Sequence, residues 1–260
     1  MDTQQQKKYK ILLIGDACLD IYYFGTCDRL SPEAPVPVYE RKSVETRKGM
    51  CLNVAANLRS MGHEVHVDKN KEIIKKIRIV DERSGQHILR VDEEPEITPI
   101  DIRKYSSKRN DLSFYDAMVI SDYNKGYIPQ GLVTDLIENA RKIDIPIFVD
   151  SKKKDLSNFE GCIIKINEKE HESIVGLPIK HELIVTLGSK GCSWRGKNFP
   201  TRKVDVHDVC GAGDVFMSGL VHMYLATNKD MSASISFANK CAAESVSKFG
   251  TCVIKLSEVK

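Results

Sequence analysis

Short apolar runs, each stopped by a polar residue or a glycine, recur along the chain. The first is Lys10-Ile11-Leu12-Leu13-Ile14-Gly15-Asp16, and its form returns at Ala117–Ile120, Ile145–Asp150, Cys162–Asn167 and Leu183–Gly188. Runs of this length, bounded by turn residues, predict buried strands. Between them the apolar spacing becomes that of a helix face: Val54, Leu58 and Met61 in one segment, Leu132, Val133, Leu136, Ile137 and Ala140 in another. Strands alternating with helices predict βαβ units, a mostly parallel sheet and helices on both of its sides. The expected strands end in Asp16, Ser121-Asp122, Asp150, Asn167 and Gly188. Ligands of such sheets bind beyond the carboxyl ends of the strands, so these residues are candidates for one site. Each taken alone is equally suited to capping a helix or forming a turn.

Two segments break the alternation. Residues 21–41 carry Tyr22-Tyr23-Phe24 and then Pro32, Pro35 and Pro37, which forbid helix and suit edge strands or a flap. Lys76–Val80 and His87–Val91 alternate at period two around Ser84-Gly85, as a hairpin does. Together they predict a small β-lid, about 21–41 and 76–92, on one domain spanning 1–260. There is no internal repeat and no low-complexity linker.

Composition changes this picture mainly by exclusion. The chain has 260 residues, enough for one large core, and 39 Lys+Arg against 36 Asp+Glu leave a formal charge of +3. That balance gives no reason to expect a nucleic-acid partner, and Lys152-Lys153-Lys154 is expected to be a solvated loop. No apolar run is long enough to span a membrane. Met1 to Lys10 is polar and lysine-bearing, unlike a secretory signal. The eight cysteines form no CxxC pair, and the seven histidines are scattered without an HExxH. A cytoplasmic protein with free thiols is therefore expected.

The stretch from Asp208 to Leu220 carries the strongest chemical signal. Val215, Phe216, Leu220, Met223 and Tyr224 have helical spacing, so a helix is expected to start at or just after Gly211. Its first turn has free backbone N–H groups, and the small residues Gly211, Ala212 and Gly213 let an anion approach them. Asp214 in that turn could merely complement the helix dipole. An anion hole beside a carboxylate is also what phosphoryl transfer to a hydroxyl requires: amides hold the moving charge and the carboxylate accepts the proton. Asn167-Glu168-Lys169-Glu170 could hold magnesium through water, or could simply be a capping box. Gly191–Asn198 nearly spells a P-loop but lacks its final hydroxyl residue and runs into Pro200, so it is rejected.

With these residues in view, the chain resembles the ribokinase-like (PfkB) carbohydrate kinases. Asp208–Asp214 resembles their C-terminal signature, Asn167–Glu170 their Asn-x-x-Glu motif, and Gly15–Asp20 their first-strand substrate motif. Arg29–Val38 and Ser121–Gly126 are most similar to the bacterial heptose 7-phosphate kinases of that family. The resemblance implies a three-layer α/β/α sandwich with a small β-lid, and an ATP- and Mg2+-dependent carbohydrate kinase with a sugar or sugar phosphate as acceptor. It implies Asp214 as the base and the amides of Gly211, Ala212 and Gly213 as the anion hole. Asn167 and Glu170 would organise magnesium through water. Asn167, Thr186, Gly188, Lys190, Gly191 and Asn239 would line the nucleotide. Asp16, Asp20, Gly49, Asn53, Asp122 and Lys125 would meet the sugar, a monovalent cation near Asp208 is compatible with the pattern, and the lid would pair two subunits.

Three departures accompany the resemblance. Gly49-Met50 stands where the family usually has Gly-Gly, so a methionine meets the expected sugar pocket. Asp68–Glu72 replaces a strand, a helix and a further strand, which shortens the N-terminal half. Lys165-Ile166-Asn167 replaces a common Thr-Pro-Asn. The expected activity is thus ATP-dependent phosphorylation of a sugar or sugar phosphate hydroxyl, heptose 7-phosphate by resemblance. The competing expectation is a catalytically weakened, kinase-derived ligand-binding or interaction protein, and a kinase of nucleosides or other small alcohols is a third.

Overall fold

The computed structural model describes residues 7–106 and 111–259; the first six residues of the polar stretch Met1 to Lys10 lie outside it. Strand β1 (Lys10–Gly15) divides its side chains between two cores, as a strand buried on both faces must. Ile11 and Leu13 join one apolar cluster, Leu12 and Ile14 the other. On the first face lie α1 (Cys51–Ser60), α4 (Ala212–Ala226) and α5 (Met231–Val246), and on the second α2 (Thr134–Lys142). A five-residue α3 (Glu168–Glu172) follows β9. The main sheet has the order β12-β11-β10-β9-β8-β7-β1-β4. Its parallel members are β1, β4 (Glu64–Lys69), β7 (Ala117–Asp122), β8 (Ile147–Ser151), β9 (Ile163–Asn167) and β10 (Glu182–Thr186). The near-P-loop is instead an antiparallel hairpin of β11 (Cys192–Trp194) and β12 (Lys197–Phe199) turning at Arg195-Gly196.

The lid is one four-stranded sheet, not two separate pieces. Its order is β3 (Pro37–Met50), β2 (Ala17–Leu30), β5 (Ile74–Asp81), β6 (His87–Glu93), with β2 and β5 parallel. The strands run beyond the expected 21–41 and 76–92. Asp20 and Arg47, charged residues paired across β2 and β3, lie outside the expected bounds and carry no apolar alternation. Pro32 and Pro35 fall in the turn between β2 and β3, and Pro37 opens β3 at the edge of the sheet.

In the shortened region, β4 is the edge strand and only residues 70–73 separate it from lid strand β5. Asn70 secures this crossing: its side chain accepts from the Ala17 N–H (2.6 Å) and donates to the carbonyls of Ala17 (3.1 Å) and Glu72 (2.6 Å). On β4, Asp68 accepts the hydroxyls of Tyr105 (2.5 Å) and Tyr127 (2.6 Å). Polar bonding thus anchors this edge of the main sheet. Each of the eight cysteines is a free thiol, five of them buried. Among the described residues no helix is long and apolar enough to cross a membrane.

Candidate active site

Helix α4 begins where its sequence predicts. Gly211 is the N-cap at φ 75°, a left-handed conformation that favours glycine, and a Cβ there would also lie 2.6 Å from Asn53 Nδ2. The amide of Ala212 turns back to the Val209 carbonyl (3.3 Å), so the expected anion hole is narrower by one donor. The amides of Gly211 and Gly213 have no hydrogen-bond partner among the described residues. Asp214, in the first turn, is 2% exposed. Its Oδ2 accepts from Asn53 Nδ2 (3.0 Å) and its Oδ1 from the Tyr123 hydroxyl (2.7 Å). Burial pushes the Asp214 carboxyl up to about 6, against the pull of those two donors. A carboxylate so placed is mostly ionised at neutral pH yet basic enough to take a proton.

Behind it lies a row of alternating charge. Lys165 and Asp150 are partners in the β8–β9 ladder, and the Lys165 ammonium donates to Asp150 Oδ2 at 2.5 Å. Burial acts to raise the Asp150 carboxyl, but Lys165 and Lys152 outweigh it and hold the group below its usual range. Lys152 binds Glu170 Oε1 and lies 3.7 Å from Asp150 Oδ1. Glu170 and Asn167 form a full capping box on α3: Glu170 Oε2 accepts from Asn167 N (2.8 Å) and Asn167 Oδ1 from Glu170 N (2.9 Å). Lys152 and Lys153 correct the expectation of a solvated lysine run. Lys153 is largely buried, bound to Asp122 Oδ2 and the Ile128 carbonyl (2.6 Å), and Lys154 alone is exposed. The run follows β8 into the site, where carboxylates await it. Beside it opens a groove of about 520 Å³ lined by Asn124, Gln130 and the three lysines.

The residues expected to meet the sugar are brought together with their polar groups already engaged. Asp16 is fully buried, which raises its pKa, and it accepts the backbone N–H groups of Tyr123 (2.8 Å), Lys125 (3.2 Å) and Tyr127 (3.4 Å). It therefore shapes the loop after β7. Asp122 accepts from Ser151 Oγ (2.8 Å) and Lys153, and Lys125 binds Glu94 (2.7 Å). Asp20 forms a buried ion pair with Arg78 (2.6 Å), and a Cβ on Gly49 would strike Asp20 Oδ2 at 2.2 Å. Met50 holds φ 56°, ψ −133°, a conformation suited to glycine, and its side chain is 3% exposed in the cluster containing Cys18 and Ile74. It thus holds a glycine-like backbone shape at a strain of about 1–3 kcal/mol.

The expected nucleotide residues lie along the neighbouring strands. Thr186 pairs with Asn167 in the β9–β10 ladder and donates to the Ile166 carbonyl (3.2 Å). Gly188 and Lys190 form an exposed turn, and Gly191 follows at φ 92°. Asn239 on α5 donates to the Phe199 carbonyl (2.9 Å). Asp208 accepts from the amides of Cys210 (2.9 Å) and Gly250 (3.0 Å); burial acts to raise its carboxyl, and these amides bring it below its ordinary value. Sequence reasoning missed Tyr123, Arg78 and Arg47. Tyr123 stood inside the Ser121–Gly126 stretch, and Arg78 shares the lid face of Asp20. Arg47 ties the lid to the carbonyls of Phe249 and Thr251 (3.2 Å), contacts some 200 residues away in sequence that no local pattern signals.

Residues 63–257 match the model of the pfkB family carbohydrate kinases. The chain belongs to that family. ATP and usually Mg2+ are the cofactors that membership of this family implies. It is similar to the bifunctional protein HldE of Campylobacter curvus, 29% identical over 98% of this chain and 65% of that protein. The protein of the same name from Helicobacter hepaticus is 32% identical over 98% and 64%. The kinase thus spans just under two thirds of the length of these relatives. Its fold is that of phosphofructokinase-2 from Escherichia coli, solved in complex with potassium: TM-score 0.75, 16% identity, 96% of this chain and 97% of that one.

Proposed function

We propose that this kinase phosphorylates the anomeric hydroxyl of heptose 7-phosphate, giving heptose 1,7-bisphosphate. The observation that carries the acceptor is the similarity to the HldE proteins over 98% of the chain, a span that takes in Arg29–Val38 and Ser121–Gly126. Asp214 accepts the hydroxyl proton while the sugar oxygen attacks the terminal phosphorus. The amides of Gly211 and Gly213 take up charge on the moving phosphoryl group, whose partners change without any new bond to the protein. ATP supplies that group, and bound magnesium would neutralise its phosphates. The described residues include no group of three or more His, Cys, Asp or Glu suited to hold a metal ion. Asn167 and Glu170, already joined in the capping box with Lys152 on Glu170 Oε1, would meet a hydrated ion carried by the nucleotide only through water. The elevated pKa of Asp214 and its two donors favour catalysis over the binding-protein alternative.

The test is a kinase assay across heptose 7-phosphate, unphosphorylated sugars and other sugar phosphates, with the phosphorylated position identified. Transfer to other acceptors and none to the heptose phosphate would overturn the proposal. Glu170→Gln should raise the magnesium concentration needed; an unchanged requirement would leave the pair as a helix cap only. A potassium titration tests the proposed monovalent cation near Asp208. The lid's outer face carries a cross-strand row of Val44, Tyr23, Ile79 and Leu89, with Val44 51% and Leu89 55% exposed. A second copy of this chain is the proposed partner for that row. Leu89→Glu should then lower the mass measured by light scattering.

A further inference from the structure

Lys165 is 2% exposed in the middle of the sheet. An ammonium carries three N–H donors. One is spent on Asp150 Oδ2, and among the described residues no other acceptor is recorded for it. Asp150 is equally incomplete: it is 3% exposed, and its Oδ1 has no hydrogen-bond partner, with Lys152 3.7 Å away. A buried ion pair with unspent donors and an orphaned oxygen is a poor stabilising device, since desolvation offsets much of its attraction. Its position supplies a reason for keeping it. A Cβ added to Gly213 would lie 2.9 Å from Lys165 Nζ and 3.9 Å from Asp150 Oδ2. The ammonium therefore sits against the first turn of α4, beside the unpartnered amides and the base. The alternating row Glu170, Lys152, Asp150, Lys165 leads from the Asn167–Glu170 pair to that turn.

We propose that Lys165 is a catalytic cation of this kinase, held by Asp150 against Gly213 so that its free N–H donors contact the phosphoryl group during transfer. The sugar O–H gives its proton to Asp214, the sugar oxygen forms the new bond to phosphorus, and the bond from phosphorus to the bridging oxygen breaks. The electron pair of that bond leaves with ADP. Lys165 keeps its proton throughout and opposes the charge on the three non-bridging oxygens. The small residue at Gly213 is what admits the ammonium so close to the helix backbone. The proposal rests on the transfer-site reading but not on the identity of the sugar.

Two variants test it with whichever acceptor the enzyme uses. Lys165→Met leaves Asp150 buried without its partner and so is expected to lose stability as well as activity. The double variant Asp150→Asn with Lys165→Met removes both charges and should fold with a melting temperature near the parent's. Turnover of the double variant should fall about 100-fold, the scale for losing one donor to a developing oxyanion. Its KM for ATP should change far less, and calorimetric ADP affinity should stay the same, because ADP lacks the transferred group. Parental turnover in the folded double variant would overturn the proposal, as would a loss confined to KM or matched by an equal loss of ADP affinity. Asp214→Asn run alongside separates the two readings. If it is inactive while the double variant is not impaired, the base stands and Lys165 falls; if it is fully active, the transfer site itself is misplaced and both fall.

Discussion

The two sides of the site solve opposite problems. On the lid side the expected sugar-contact groups hold partners in the scaffold: Asp16 three amides, Asp20 Arg78, Asp122 Ser151 and Lys153, Lys125 Glu94. On the side of α4, capacity is left over, in the amides of Gly211 and Gly213, in Asp150 Oδ1 and in a carboxyl raised to about 6. A satisfied buried network adds rigidity, whereas unspent donors and a strained charge are what a reacting group can use. The difference predicts that substitutions on the lid side act first on stability and those beside α4 first on turnover, although both are lined by similar residue types.

Substitutions can break that comparison. The largest effect is expected at Asp214. Asp214→Asn should lower turnover by about two to four powers of ten, and near-parental turnover would remove the base assignment. The same variant should be more stable than the parent at pH 7.5, by up to about 3 kcal/mol. The sign follows from the raised pKa: the folded state holds its proton longer than the unfolded chain, so stability falls as pH rises from about 4 to about 6, a loss the amide never suffers. Thermal melts should show this advantage vanish toward pH 4. On the lid side the outcome reverses. Arg78→Met leaves Asp20 buried without its partner and should cost about 3–5 kcal/mol, read by denaturant unfolding, while the Asp214 pKa stays in place. A lid variant that lost activity at full stability would blur the division.

A pH profile sharpens it. kcat/KM should fall tenfold per unit below about pH 6 as Asp214 takes up a proton. A limb that persists in Asp214→Asn at residual activity would assign the titration elsewhere. The stability profile has a second contributor, the buried pair His63 and His222, whose rings meet at 2.9 Å. Burial lowers both, His63 to about 4. Their folded pKa values lie below the unfolded one, so the unfolded chain gains protons first and stability drops as pH falls from about 6.5 to 4, by about 3 kcal/mol for His63. Asp214 pushes in the opposite direction over the same range. The histidine effect should therefore be clearest in Asp214→Asn, and a flat profile there would show the pair to be untitrated. The smallest effect is at Met50. Met50→Gly relieves the φ strain but leaves a cavity, and the net loss should be about 1–2 kcal/mol by thermal melt. Tighter acceptor binding in that variant would show that the side chain reaches the sugar pocket.

Much of this was legible along the chain because it rests on local repetition. Short apolar runs placed β1, β7, β8, β9 and β10, helical spacing placed the start of α4 at Gly211, and period-two alternation placed the hairpin in the lid. The motif residues Asp214 and Asn53 were named in advance, and the structure joins them by a hydrogen bond. The chain also carried its own departures, Met50, Lys165 and the short passage from β4 to β5.

Other features depend on which distant residues meet, and local pattern is silent about that. That Lys152, just after β8, reaches Glu170 beside the cap could not be read from either segment alone. The lysine run looked solvated because its composition is charged; burial and the carboxylates of Asp122, Asp150 and Glu170 came only with folding. Two of the seven scattered histidines, His63 and His222, 159 positions apart, became a buried pair. Sequence by itself determined the fold class, the order of the strands' polar ends and the place of Asp214 in the first turn of α4, because hydrophobic periodicity and helix-start chemistry act over a few residues. Tertiary structure alone decided which charges are spent and which remain free, because burial and partner choice are properties of surfaces brought together across the whole chain.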